Sequence, residues 1–383
     1  MSKTLTPAEV LMGPSPLILG ATLEPVAGDR FQPAGFPEIG HVIYKAPRKD
    51  GVEHVCIVDS AASMANHLES VCQRGAHDLD LVEELDGLPY LRCVTGEMKE
   101  RVIAAPEVVL TSLTEGHRIA SNYFIGLYDK KSGKWDEKSA FATERVDAHG
   151  ATKVGSTCFG FHLAERLGVW KPEGKLSDKK AHPPASQWWN VFKTIFALDP
   201  NSLVHGVLFP QWQIKIPRAL TAHLEALGAG RVDRSGVKFD RLGKTTSGQP
   251  IFAVDDATAE SIRATFVLDV GLIRSFGRKK KDEQLGLSDK RQELLVALAL
   301  WKVQKLLEQP FRYRSGCHLR RTALQTEGED VALDVDIKHA IKAVDFGEQP
   351  ITDVFWPREE LYREGADSGD KPDEDDAEGE DDE

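Results

Sequence analysis

An α+β fold, with an antiparallel sheet covered by helices on one face, is what this 383-residue sequence predicts. Three observations predict it. Strand-like and helix-like segments are mixed along the chain rather than strictly alternating, and hairpin-like and crossover spacings are both present. No internal repeat is visible, so a solenoid is not expected. At 41% hydrophobic the chain can bury a substantial core, and its length suits one large elaborated domain or two ordinary ones.

Taken in order, residues 1–29 read as a loosely structured N-terminal extension. "RFQPAGFPEIGHVIYKA" (30–46) ends in a strand-like run from Val42 to Lys45, and "GVEHVCIV" (51–58) is a second strand. "CIVDSAASMANHLESVCQR" (56–74) runs from that strand into a helix. Met64, Leu68, Val71 and Cys72 fall at helical spacing and form its buried stripe. Asp59 or Ser60 supplies the N-cap. Ser63, His67, Ser70 and Arg74 make a second stripe, with Asn66 beside it. Compact hydrogen-bonding groups of this kind cost helix propensity that Lys and Glu would not. Two readings stay open: a helix packed on a polar neighbour, or a surface that binds something polar, such as a phosphodiester backbone.

"LPYLRCV" (88–94) and "RVIAA" (101–105) read as strands, and "TSLTEGHRIASNYFIGLY" (111–128) as a polar turn or short helix leading into another. Residues 129–193 hold twelve Lys or Arg against eight acids, four of the seven Trp, and little periodicity, which reads as an insertion or small subdomain outside the core. "LVHGVLF" (203–209) and "TFVLDVGLI" (265–273) read as strands. "PRALTAHLEALG" (217–228) carries helix signals: Pro217 at the first position, Leu220, Leu224 and Leu227 on one face, Gly228 as the stop. "SDKRQELLVALALWKVQKLLEQP" (288–310) predicts a long, largely buried helix from Ser288 to the residue before Pro310.

The net charge of −12 is unevenly spread. Residues 364–383 hold twelve acids and one Lys, leaving 48 acids and 47 bases in the rest. The body is nearly neutral and the acidity is a tail, which such a composition leaves disordered. It serves solubility, or it covers basic surface until nucleic acid displaces it. Five scattered Cys without a C-x-x-C pair fit neither a disulfide framework nor a zinc site, and suit a reducing cytoplasm. No run of 18 or more apolar residues exists, and Pro14 and Pro16 make the start a poor signal peptide, so no membrane partner is expected.

Two segments bear on polyanions. With period-2 alternation, "FRYRSGCHLRR" (311–321) puts Phe311, Tyr313, Ser315, Cys317 and Leu319 on one side of a strand. Arg312, Arg314, His318 and Arg320 share the other. Such a row is either a solvated, aggregation-proof edge or a phosphate-binding face. Arg274, Arg278, Lys279, Lys280 and Lys281 make a second positive cluster, by itself as consistent with a solvated loop. Together with the Lys- and Trp-bearing insertion these segments support single-stranded nucleic-acid binding.

Enzyme motifs fail on inspection. "GKTT" (243–246) is close to the end of a P-loop, but Lys238 stands where the loop needs Gly. H-E-x-x-H, G-x-S-x-G, an EF-hand loop and the RNP1 signature are absent from the sequence. No cofactor and no catalytic residue is expected. A nucleotide-dependent hydrolase or phosphotransferase, and a scaffold for proteins alone, are the alternatives.

"RFQPAGFPEIG", "DSAASMANHLE", "TSLTEGHRIAS", "VHGVLF" with "IPRALTAHLEALG", and "ALALWKVQKLLE" with "RYRSGCHL" occur in this order over about residues 30–320. That pattern resembles the crRNA-filament backbone subunit of type I-G (formerly I-U) CRISPR Cascade complexes. The resemblance implies a strongly modified RRM-like, ferredoxin-type palm over 30–363, with large insertions. It implies copies stacked along one guide RNA, each holding a stretch of spacer for pairing with target DNA, beside other Cascade subunits. A thumb-like hairpin, for which 129–193 is the candidate, kinks the guide, and cutting falls to a separately recruited nuclease-helicase. Ser63 and Asn66 match the polar helix block and would contact sugar-phosphate. His67 stands where relatives are expected to carry Arg, which removes a permanent charge. His117 and Arg118 match the H-R block, Arg312 and Arg314 the basic strand. A protein that holds any guide should read backbone and 2′-OH rather than bases, and needs positive charge only along the RNA track.

Overall fold

The computed structural model describes residues 3–35, 40–126, 128–129, 134–135, 140–146, 151–169, 183–232 and 255–361. The near-P-loop at 243–246 and the acidic tail lie outside these residues.

The fold is a mixed α+β arrangement with two large sheets. The larger has nine strands: β1 (Lys3–Leu5), β2 (Leu17–Pro25), β3 (Ile43–Arg48), β4 (Gly51–Asp59), β5 (Leu220–Leu227), β6 (Ser261–Leu268), β7 (Phe311–Arg314), β8 (Cys317–Thr326) and β9 (Glu329–Leu333). Their order is β1-β9-β8-β2-β6-β5-β4-β3, with β7 paired to β8. Every pairing is antiparallel except β1 with β9. Three helices matter for the site: α1 (Pro7–Met12), α2 (Ala61–Ser70) and α3 (Asp289–Glu308). In chain order β2, α2, β5, β6, α3 and β8 form a βαββαβ unit whose strands lie fourth-first-third-second across the sheet.

Helix α3 carries this arrangement. Residues Leu294 to Val303 are all buried, so the helix is covered all round, as its unbroken apolar run predicts. Met64, Ala65 and Leu68 turn α2 toward the same core.

Four sequence expectations need correction. Residues 217–228 are not a helix: β5 spans Leu220–Leu227, hydrogen-bonded between β4 and β6. Leu220, Ala222, Leu224 and Ala226 are buried and alternate with half-buried residues. Ala222 faces Phe266, Leu224 faces Ala264 and Ala226 faces Ile262, so large side chains meet small ones across the pair. That cross-strand fit overrides the local helix signals. Of the segment 1–29, the described residues 3–29 are not loose: β2 lies between β8 and β6 in the interior of the sheet, and α1 opens with a Thr6–Glu9 capping box. The 203–209 and 265–273 segments are each half helix: Pro200–His205 precedes the strand Val207–Phe209, and Val270–Ser275 follows β6 behind an Asp269 cap.

The fourth concerns 129–193, expected outside the core. The second sheet has seven strands, running Glu107–Thr111, Tyr90–Thr95, Ile351–Phe355, Phe141–Arg145, Thr152–Cys158, Val102–Ile103, Met98–Lys99. Two of these strands come from the supposed insertion. The helices Phe159–Arg166 and Trp188–Leu198 bury Phe159, Leu163, Ala164 and Val191 in the principal core. At Gly160 a Cβ would lie 2.1 Å from the Ile125 carbonyl oxygen, so this helix approaches its neighbour as only Gly permits.

Candidate nucleic-acid interface

Strand β4 ends at Asp59 and α2 begins two residues on. Ser60 is the N-cap, its hydroxyl accepting from the Ser63 amide at 3.2 Å. The Asp59 carboxylate, only 1% exposed, is the hub of the site. Its Oδ1 accepts from the Ser60 amide (2.9 Å) and from Arg314 Nη2 (2.7 Å). Its Oδ2 accepts from Ser63 Oγ (3.1 Å) and from His67 Nε2 (2.9 Å). Ser63 and His67 are one turn apart, so both reach back to the residue before the helix. Burial alone would raise the Asp59 carboxyl; the His67 hydrogen bond, the Arg314 charge and the Ser63 hydroxyl outweigh it and hold it below the usual carboxylate range.

Arg314 arrives from the hairpin that joins β7 to β8. The same hairpin presents Phe311 and Tyr313 edge-on to the His67 ring, at centroid distances of 5.3 and 5.4 Å. Helix and hairpin thus close on each other around one carboxylate. Asn66 and Arg312 remain exposed beside this junction, and Arg312 Nη2 donates to Ser315 Oγ at 2.8 Å. Arg314 keeps 24% of its side chain exposed.

The cluster contains Ser, His and Asp, but it is not an acyl-transfer relay. Such a relay needs Ser and Asp on opposite imidazole nitrogens. Here Ser63 Oγ lies 3.3 Å from Nε2, the nitrogen that already holds Asp59.

The segment 311–321, expected as one strand, is a hairpin, because the chain turns at Ser315–Gly316 with Gly316 at φ 75°. Its arginines therefore do not form one row. Arg312 meets Ser315, Arg314 meets Asp59, and Arg320 meets Glu24 at 2.6 Å. The alternation of burial survives, with Tyr313, Cys317 and Leu319 inside.

Arg118, expected at the RNA, is interior. Its guanidinium grips Glu69 of α2 in a two-point pair, both contacts at 2.7 Å, and it also donates to the Gly206 carbonyl at 3.3 Å. The side chains are 6% and 3% exposed. Asn201 Nδ2 donates to Glu69 Oε1 at 2.6 Å, and the fully buried Lys302 donates to Asn201 Oδ1. A phosphate contact from Arg118 is excluded by this burial. Its neighbour His117 is 81% exposed, with Nδ1 3.3 Å from Glu115.

Arg274 is half-buried and donates to the Leu11 and Gly13 carbonyls, closing the end of α1 rather than facing a ligand. Arg278, Lys279 and Lys280 are exposed on the hairpin Gly277–Lys280 and Glu283–Gly286. That hairpin sits at the first turns of α3, where Gln292 bonds the Gly277 carbonyl, whereas α2 meets α3 near Lys302. The structure thus gathers Ser63, His67 and Arg314 at Asp59, with Asn66 and Arg312 alongside, and leaves the lysine hairpin apart.

Sequence reasoning gave Asp59 only a capping role and missed Glu69, Asn201 and Lys302. Lys302 did carry a signal: a lone cation in the run LLVALALWKV (294–303) must be buried and must have a partner.

By sequence this is a CRISPR-associated protein. The model of the family described as CRISPR-associated protein GSU0053 matches residues 17–231, more than half of the chain, and the chain belongs to that family. The resemblance drawn from the sequence motifs is thereby borne out. No curated protein matches the chain. Among solved structures, the crystal structure of Thermofilum pendens Csc2 is similar at 12% identity and a TM-score of 0.29, over 88% of this chain and 73% of that one. No helix among the described residues is long and apolar enough to cross a membrane.

Proposed function

We propose that this chain is a non-catalytic backbone subunit of a CRISPR Cascade complex. On this reading it polymerises along the guide RNA in the cytoplasm, holds its sugar-phosphate, and presents the spacer to target DNA. The palm is a modified RRM-like unit, which the fourth-first-third-second strand order supports. Residues 129–193 are the source of a thumb-like hairpin. Other Cascade subunits and further copies of the chain flank it, and a nuclease-helicase recruited to the assembly cuts.

The observation that carries the reading is the junction of α2 with the β7–β8 hairpin. Asp59 neutralises Arg314 and takes the Ser63 hydroxyl proton and the His67 Nε2 contact, so the junction is preorganised without a large net charge and leaves the Ser63 oxygen to accept from a 2′-OH and the part-exposed Arg314 guanidinium to donate. Asn66 and Arg312 add exposed donors on either side. Such an edge bonds phosphate and 2′-OH groups and asks for no particular base.

Two measurements test this. Expressed with its genomic neighbours, the protein should purify with a short RNA of uniform length; protein that carries no nucleic acid sinks the reading. The purified chain should bind single-stranded RNA with an affinity that falls with salt, by a log–log slope of roughly −0.7 per phosphate neutralised.

A further inference from the structure

The H-R pair divides its labour across a surface. His117 points into solvent while Arg118, the next residue, is sealed in the interior. The backbone makes this split by placing Arg118 at φ 55°, in the left-handed region that a long side chain rarely adopts. Strain of this kind persists only where the surroundings over-determine it. Here they do. The Arg118 amide donates to the Glu115 carbonyl at 2.9 Å, the Ala120 amide to the His117 carbonyl at 3.1 Å, and the guanidinium forks onto Glu69 while also holding the Gly206 carbonyl.

Glu69 lies three residues after Asn66, so the two are neighbours on α2. The turn that Glu69 anchors is therefore tied to the same helix that carries Asn66, and His117 lies exposed on that turn. Asn201 and Lys302 brace the carboxylate from behind, so Glu69 cannot swing out.

We propose that Glu69 and Arg118 are positioning residues: they touch no RNA, and they lock the 115–118 turn against α2 so that the exposed His117 is held in place as a further contact to the guide backbone. This rests on the RNA-holding function proposed above.

The test is a double-mutant cycle in the full-length chain, read as affinity for a single-stranded RNA of fixed length at fixed salt and pH. His117→Ala should weaken binding about threefold in the wild-type background and leave it nearly unchanged in Glu69→Gln, because the turn is already displaced there. Arg118→Lys is the second background. It keeps the buried charge but loses the planar fork, so it protects the fold while releasing the turn. Circular dichroism verifies that each variant is folded. If His117→Ala costs the same factor in all backgrounds, the positioning role is wrong and the RNA-holding function stands. If the wild-type chain binds no RNA, both fall.

Discussion

Two buried carboxylates mark the two ends of helix α2, and they differ in how far their partners reach solvent. Asp59, at its start, gathers Ser63, His67 and Arg314, the last a quarter exposed, at a junction open to solvent. Glu69, near its end, is sealed with Arg118, Asn201 and Lys302. On the proposed function, the outer cluster fixes the edge that meets the bound strand. The inner one has all its partners inside the protein and can only hold parts of the fold in place. The same residue types therefore sit differently, and the exposure of their partners separates them. Mutations should separate them too.

The inner cluster gives the largest expected effect. Glu69→Ala leaves Arg118 charged and buried with no carboxylate, and breaking a buried pair in this way costs roughly 3–5 kcal/mol. Thermal or urea unfolding should register it. A loss under 1 kcal/mol would mean that water reaches the site and that the contrast with Asp59 is false.

The inner region also carries its own acid sensitivity. His205 is buried, and its imidazole is held well below its usual range by burial and by the charges of Lys302, Arg118 and Arg218. Below about pH 6.5 the unfolded chain takes up this proton and the fold does not, so stability is lost. Asp199 works the other way: burial pushes its carboxyl up to about 6. As pH falls from there toward 4 the fold binds that proton first and gains stability. The two partly cancel. Asp199→Asn removes the gain, so this variant should be at least as stable as wild type at pH 7 and lose stability faster below pH 6.5. Parallel pH–stability curves for the two proteins would refute the assignment.

The outer cluster should respond less. Asp59→Asn removes the charge opposite Arg314, but Arg314 can reach water, so a loss of about 2 kcal/mol is expected, short of the fully buried case. Because Asp59 is held below the usual carboxylate range, the stability it confers is complete above about pH 4 and disappears as pH falls through its folded value. Wild type and Asp59→Asn should therefore differ at pH 6 and converge once the pH lies below the folded value of Asp59. A difference that persists in strong acid would show that Asp59 acts through shape and not charge.

The contrast also explains what the sequence let us read. α2 was legible because its apolar spacing and its Ser60 cap are local, and α3 because an apolar run that long admits little else. β5 was not. Pro217, three leucines and Gly228 satisfy every local helix rule, and only the facing residues Ile262, Ala264 and Phe266, some forty positions away, make it a strand. Arg118 failed for a similar reason. Nothing adjacent to it reveals that Glu69, 49 residues earlier, will take its charge inside. Arg312 and Arg314 were legible as donors, but their separation by a turn and a carboxylate was not.

Arg312 completes the series with the smallest effect on folding and a clear one on binding. Its side chain is exposed and donates to Ser315 within its own hairpin. Arg312→Ala should change stability by no more than about 0.5 kcal/mol. If it neutralises one phosphate, the variant's salt slope for single-stranded RNA should be shallower by about 0.7, and the loss of affinity should be the same for RNAs of different sequence. Arg314→Ala provides the comparison on the same strand. It frees Asp59 as well as removing a cation, so it should cost both stability and binding. A variant at Arg312 that binds RNA with unchanged slope would place the track elsewhere, and the exposed lysine hairpin at 278–280 would be the next place to look.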